Sequence, residues 1–145
     1  MAKIHLSRSL LIIGSLLILS ACDYNPLDRG PQAHDIAIEF FDRLYNQRDL
    51  ESALELTSQE YRPVLERYGS IVAIGRYLYG MNFDEVTIEA DSQGVQLYRE
   101  RAETARVQIS FSGRQGQAHV ETLRNVVMVQ EGGEWRLARV LDTRW

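Results

Sequence analysis

The sequence predicts an α+β fold in which N-terminal helices pack on a curved antiparallel sheet of about four strands. Apolar residues recur at helical spacing from Ala33 to Leu78, and after Phe83 the recurrence shortens to every second residue. Glycine-bearing turns separate the alternating runs, as expected where antiparallel neighbours follow one another in the chain.

Ahead of this pattern, Lys3 and Arg8 precede an apolar run that ends in Leu19-Ser20-Ala21-Cys22. The run is about thirteen residues, short of the roughly twenty that span a bilayer, and small side chains before Cys22 suit a peptidase. Leu19, Ser20, Ala21 and Cys22 together resemble the lipobox of bacterial lipoproteins. The resemblance implies a signal peptide over residues 1–21 and a Cys22 carrying a thioether-linked diacylglycerol and an amide-linked acyl chain. Membrane lipid, through acylated Cys22, is then one partner, and several acyl chains make a stable anchor. Asp23 resembles an inner-membrane retention signal, so the expected address is the cell envelope, facing the periplasm, with the inner membrane favoured over the outer.

Residues 22–32 contain Pro26, Gly30 and Pro31 with few apolar groups and read as a short tether. Residues 33–145 read as a single domain with one core.

Within that domain, Ala33, Ile36, Ala37, Phe40, Phe41 and Leu44 fall on one helical arc, with Glu39 four residues before Arg43 on the other side. Asp49 is a natural N-cap for a second helix through Leu50, Ala53, Leu54 and Leu56. Thr57-Ser58-Gln59-Glu60 matches a capping box, yet Pro63 disfavours helical geometry at Arg62, so a third helix starts at one place or the other. Tyr61, Val64, Leu65 and Tyr68 continue the period. Ser70 caps a last segment that ends at Gly80.

Val86 and Ile88 open the strand region, and Ala105, Val107, Ile109 and Phe111 alternate with polar residues. Gly113-Arg114-Gln115-Gly116 is expected to turn into a long strand, and Gly132-Gly133 into a last one. Residues 95–99 read as a short strand or a bulged continuation of the first.

Beyond residue 21 the chain holds 14 arginines, no lysine and 20 acids, a formal charge of −6. That balance argues against nucleic acid as partner, which needs a net basic face. It also excludes a lysine Schiff base. With Cys22 the only cysteine, there is no disulfide, thiolate nucleophile or cysteine metal site to consider. Two histidines in this portion, His34 and His119, are too few for a histidine-based metal centre, and no Gly-x-Ser-x-Gly elbow occurs. No cofactor motif is present.

The run Phe40-Phe41-Asp42-Arg43-Leu44-Tyr45-Asn46-Gln47-Arg48-Asp49-Leu50 resembles the opening helix pair of the NTF2-like (cystatin-like α+β cone) superfamily, and Gly133-Glu134-Trp135-Arg136-Leu137 resembles the closing strand of its lipoprotein and uncharacterised branches. The resemblance implies a cone between helices and sheet. Tyr45, Tyr61, Tyr77, Tyr79, Tyr98 and Trp135 are then candidates to line it, or simply to fill it. In an unbulged last strand Trp135, Leu137 and Arg139 share a face, which would set a guanidinium among apolar groups to hold an acid or, alternatively, snorkel at the edge.

The superfamily includes enzymes, adaptors and secretion-system subunits, so fold leaves function open. In its steroid-isomerase branch a helix-borne tyrosine acts in catalysis. Phe41 takes that place here, and Glu60 is better read as a cap than as a catalytic acid. The expectation is therefore a non-catalytic domain binding a protein partner or a small apolar ligand in the cell envelope. The alternatives are an isomerase- or cyclase-type enzyme and a structural subunit of an envelope complex.

Overall fold

The computed structural model describes residues 31–90 and 103–141. The lipobox residues, Cys22, Asp23, most of the tether, Tyr98 and the short strand expected at 95–99 lie outside the described residues. Four helices come first: α1 (Ala33–Tyr45), α2 (Leu50–Glu55), α3 (Arg62–Glu66) and α4 (Ile71–Ala73), the last running directly into a π-helical turn, Ile74–Tyr79. Strands β1 (Glu85–Ala90), β2 (Thr104–Gln115), β3 (Ala118–Glu131) and β4 (Glu134–Leu141) form one antiparallel sheet in the order β1-β2-β3-β4.

Local chemistry accounts for the helix ends. The Asp35 carboxylate accepts from the Gln32 N–H at 2.8 Å, and Asp49 accepts from the Ser52 N–H at 3.1 Å, each satisfying a donor that the helix itself cannot. Ser70 does the same for Ala73 at 3.2 Å. Gly80, at φ +62°, closes the π turn in a left-handed conformation that a side chain resists.

The apolar stripe of α1 lies across all four strands. Phe40, Phe41 and Leu44 are fully buried against inward residues of β2, among them Val107, Ile109 and Phe111. Phe41 meets Phe111 edge to face at 4.8 Å, and Tyr45 meets Phe83 likewise at 5.4 Å, an arrangement that aligns positive ring edges with negative ring faces. Each such side chain contributes roughly 1.5–3 kcal/mol by leaving water.

Both outer strands of the sheet find partners for backbone groups in the helical half, the Asn46 side chain on β1 and the Leu56 and Ser58 backbone on β4, which lowers the exposure that invites edge pairing. On β4, Leu137 donates to Leu56 O at 2.8 Å and accepts from the Ser58 N–H at 2.9 Å, making a parallel bridge at Thr57. This bridge decides the third helix. Thr57 and Ser58 are held in extended geometry against β4, so α3 begins at Arg62 with Pro63 in its first turn, where a missing N–H costs nothing.

One further expectation shifts. The β2–β3 turn is at Gly116 and Gln117, so of the expected turn Gly113-Arg114-Gln115-Gly116 only Gly116 turns. Gly113 stays in β2 opposite Val86, because a Cβ there would come within 2.5 Å of Glu85 O and 3.0 Å of the Phe83 ring. Its glycine serves close packing rather than turning. Gly132 and Gly133, both at positive φ, form the tight β3–β4 turn as expected.

Candidate functional site

The structure brings three of the candidate tyrosines into the helix–sheet interior. Tyr45, at the end of α1, is fully buried and donates its hydroxyl to Met81 O at 3.3 Å. Tyr61 and Tyr79 are buried with their hydroxyl oxygens 3.1 Å apart, each the other's hydrogen-bond partner. Burial pushes the Tyr45, Tyr61 and Tyr79 hydroxyls above the usual phenol range. These hydrogen-bonded phenols are core constituents, Tyr45 and Tyr79 against the Phe41 ring.

Tyr77 is elsewhere. It stands 71% exposed on the outer side of the π turn and lines no interior space. The hydrophobic period placed it one residue from Leu78, but the wider π register turns Tyr79 inward and Tyr77 out.

Trp135 is half-buried and packs against the core on the same face as Leu137. Arg139 does not share that face. The β3–β4 register slips between Val127 and Met128, so that Leu137 pairs with Met128 while Arg139 pairs with Val127, leaving Ala138 as the extra residue. One inserted residue reverses the alternation. Val140 takes the inward position opposite buried Val126, and Arg139 is exposed on the outer face.

The arginine on the helix-facing side is Arg124, opposite Ile109 on β2. It donates to Tyr79 O at 3.1 Å, to Thr122 Oγ1 at 2.7 Å and to Leu123 O at 2.8 Å, and its charge opposes part of the rise at Tyr45. A cation at the end of a helical turn is favourable for the carbonyls there. The signal was available: Val120, Thr122, Arg124, Val126 and Met128 form one alternating set, and its last two members are plainly core.

The motif around Asn46 and Asp49 is structural. Asn46 donates to Asp42 at 2.8 Å and pairs with the backbone of Val86, while Asp49 caps α2. Hydrogen bonds from Asn46 and then Gln47 hold the Asp42 carboxyl below the usual range, and the Ser52 side chain and backbone do so for Asp49. Arg43 reaches Ser52 O at 2.8 Å and Glu39 at 2.5 Å, bracing α1 against α2.

No family model, curated protein or solved structure matches the chain. Its chemistry must therefore be read from its own groups.

General acid–base catalysis calls for a carboxylate or imidazole whose environment shifts it toward neutral pH. Among the described residues the buried polar side chains are Thr57 and Ser58. Thr57 donates to Leu54 O at 2.6 Å and Ser58 accepts from the Tyr61 N–H at 3.2 Å. Among the described residues, the carboxylates whose pKa is shifted, Asp42 and Asp49, are shifted downward. His119 stands on the outer face with Glu121 at 3.3 Å, and among the described residues no three His, Cys, Asp or Glu side chains converge.

Two clefts lined by described residues lie on the outside of the sheet. One, of about 550 Å³, includes Asp84, Thr87, Arg114 and His119 along β1. The other, of about 750 Å³, runs over β2 and β3 past Gln108, Ser110, Glu121 and Leu123. The first is lined mainly by polar surface and the second by more apolar than polar surface, and none of the candidate tyrosines borders them.

Proposed function

We propose that this protein is a lipid-anchored component of the bacterial cell envelope, held to the membrane through acylated Cys22, whose α+β domain is of the NTF2-like kind and binds a protein partner without catalysing a reaction. One observation carries the reading. The tyrosines that would line a ligand cone are engaged with Met81 O and with one another, deep among Phe41, Phe83 and Phe111. Buried phenols with satisfied hydroxyls contribute packing and offer no free polar group to a small ligand.

The absence of a buried carboxylate among the described residues supports the same conclusion against an isomerase or cyclase role. Recognition then falls to the outer surface. Arg106 and Arg139 flank Val127 across β2, β3 and β4, while Glu85 and Glu89 stand on the corresponding face of β1. A face carrying charges of both signs, with Arg114 opposite Glu85 at the β1 side, orients a partner of complementary charge.

The test is photo-crosslinking of the full chain in its own membranes, with parallel feeding of an alkyne fatty acid. The reading expects a discrete crosslinked protein, label on the parent chain, and no label on Cys22→Ala. Label that survives Cys22→Ala, or a small molecule retained stoichiometrically inside the domain in native mass spectrometry, would overturn it.

A further inference from the structure

Tyr77 and Val72 are 71% and 48% exposed. Val72 lies in α4 and Tyr77 in the π-helical stretch Ile74–Tyr79 that continues it, so one short helical segment exposes both. Exposed Arg76 lies beside Tyr77, and half-buried Ile71 and Leu78 border the pair. This outward geometry is enforced from beneath. A Cβ on Gly75 would sit 2.5 Å from Met81 O, so the turn is pressed onto the core and cannot rotate Tyr77 inward.

The surrounding charge sets this face apart. Residues 31–60 hold seven acids against two arginines, and Asp84, Glu85 and Glu89 follow it, yet residues 67–83 contain Arg67 and Arg76 and no acid at all. An aromatic ring, an aliphatic neighbour and arginines match the headgroup level of a bilayer, where amphipathic rings settle and guanidinium groups meet phosphate.

Reach is sufficient. Cys22 lies eleven residues before Ala33, a span of up to about 36 Å when extended. The π turn packs on the C-terminal half of α1, where Tyr79 lies 6.0 Å from Phe41 and the Gly75 Cβ position 3.5 Å from the Tyr45 ring. Those contacts are about 12–18 Å along the helix from Ala33. That extended limit exceeds the offset, so acylated Cys22 and this face can meet one bilayer together.

We infer that the face formed by Val72, Arg76 and Tyr77 is a membrane-docking surface for anionic phospholipid, which fixes the orientation of the domain on its own membrane. The inference rests on the Cys22 anchor proposed above. It leaves the outer face of the sheet turned toward other partners.

The experiment places an environment-sensitive fluorophore at Tyr77→Cys, or at Gln117→Cys in the exposed β2–β3 turn, in the full acylated chain. Each is reconstituted into vesicles of phosphatidylethanolamine and phosphatidylglycerol that contain a quencher lipid. Position 77 is expected to be quenched and position 117 spared. Combining Arg67→Glu with Arg76→Glu, or exchanging phosphatidylglycerol for phosphatidylcholine, should reduce quenching at 77 about threefold or more. Equal quenching at both positions in a chain that floats with the vesicles would overturn the docking face while leaving the anchor intact. Flotation of the parent chain reports the anchor separately. If the parent fails to float, Cys22→Ser/Tyr77→Cys added to the same vesicles at low ionic strength carries the test: quenching at 77 above that at 117 supports the face, and its absence overturns it.

Discussion

Asn46 pairs its side-chain amide with the backbone of Val86, donating from Nδ2 to the carbonyl at 3.0 Å and accepting at Oδ1 from the N–H at 3.3 Å. The amide imitates a neighbouring strand at one position of β1, the outer strand next to β2. It thereby ties the end of α1 to the sheet, where Asp42 accepts the second amide proton at 2.8 Å. Asn46→Ala should lower stability by about 1–3 kcal/mol, since both Val86 groups lose a partner in a half-buried place. Asn46→Asp should do no better at neutral pH, because a carboxylate can accept from Val86 but cannot donate to it. Urea unfolding of the two variants checks this, and a midpoint unchanged by either would show the pairing to be incidental.

Gly113 and Gly75 have in common a carbonyl 2.5 Å from where a Cβ would stand, Glu85 O in one case and Met81 O in the other. Backbone must move to admit even a methyl group. Gly113→Ala and Gly75→Ala should therefore each cost about 1–3 kcal/mol or more. Gly69, at φ +67° with nothing within 4 Å, meets only conformational strain and should cost about 1 kcal/mol on the same substitution. Thermal unfolding of the three variants gives the order directly.

The boundaries of α1, the Asp49 and Ser70 caps, the end at Gly80 and the alternating strands were legible because each is decided within a few residues of chain. What could not be read was decided at a distance. Thr57 and Ser58 look like a helix cap until Leu137 takes them as a strand neighbour, some eighty residues later. Arg139 looks inward until the slip beside Val127 inverts its strand, and a bulge of this kind leaves no mark in the alternation Trp135, Leu137, Arg139. Of the two candidates Tyr77 and Tyr79, the π register, which adds a residue to the turn, buries Tyr79 and leaves Tyr77 outside. Of the candidate residues, Tyr45 on the regular helix α1 turns inward, whereas Tyr77 and Arg139, each beside an irregularity, turn outward.

Tyr61 and Tyr79 share a hydrogen bond between their hydroxyls, so removing the Tyr61 hydroxyl takes that partner from Tyr79, whereas removing the Tyr79 hydroxyl leaves Tyr61 its Val140 backbone interaction. Tyr61→Phe and Tyr79→Phe should each cost about 1–2 kcal/mol, and the double variant clearly less than their sum, since no buried hydroxyl is then left without a partner. A double-mutant cycle by chemical denaturation measures the difference, and strict additivity would argue against the pair.

Alkaline pH probes the same interior. The Tyr45, Tyr61 and Tyr79 phenols are held above the ordinary value of 10 by burial, so above that pH the unfolded chain loses protons that the folded chain retains. The stability associated with these groups is fully present below pH 10 and falls as pH rises from there toward the folded values. Tyr45→Phe should flatten the decline between pH 10 and 12. A slope unaltered by the substitution would place the responsible groups elsewhere.

The central claim is that a well-filled domain is moored to a membrane by lipid on Cys22 and works through its surface. Intact-mass spectrometry of the protein taken directly from membranes tests it most directly. The account expects a chain that starts at Cys22, carries the mass of its acyl groups and retains no small molecule. A chain that still includes residues 1–21, with Cys22 unmodified, would contradict it.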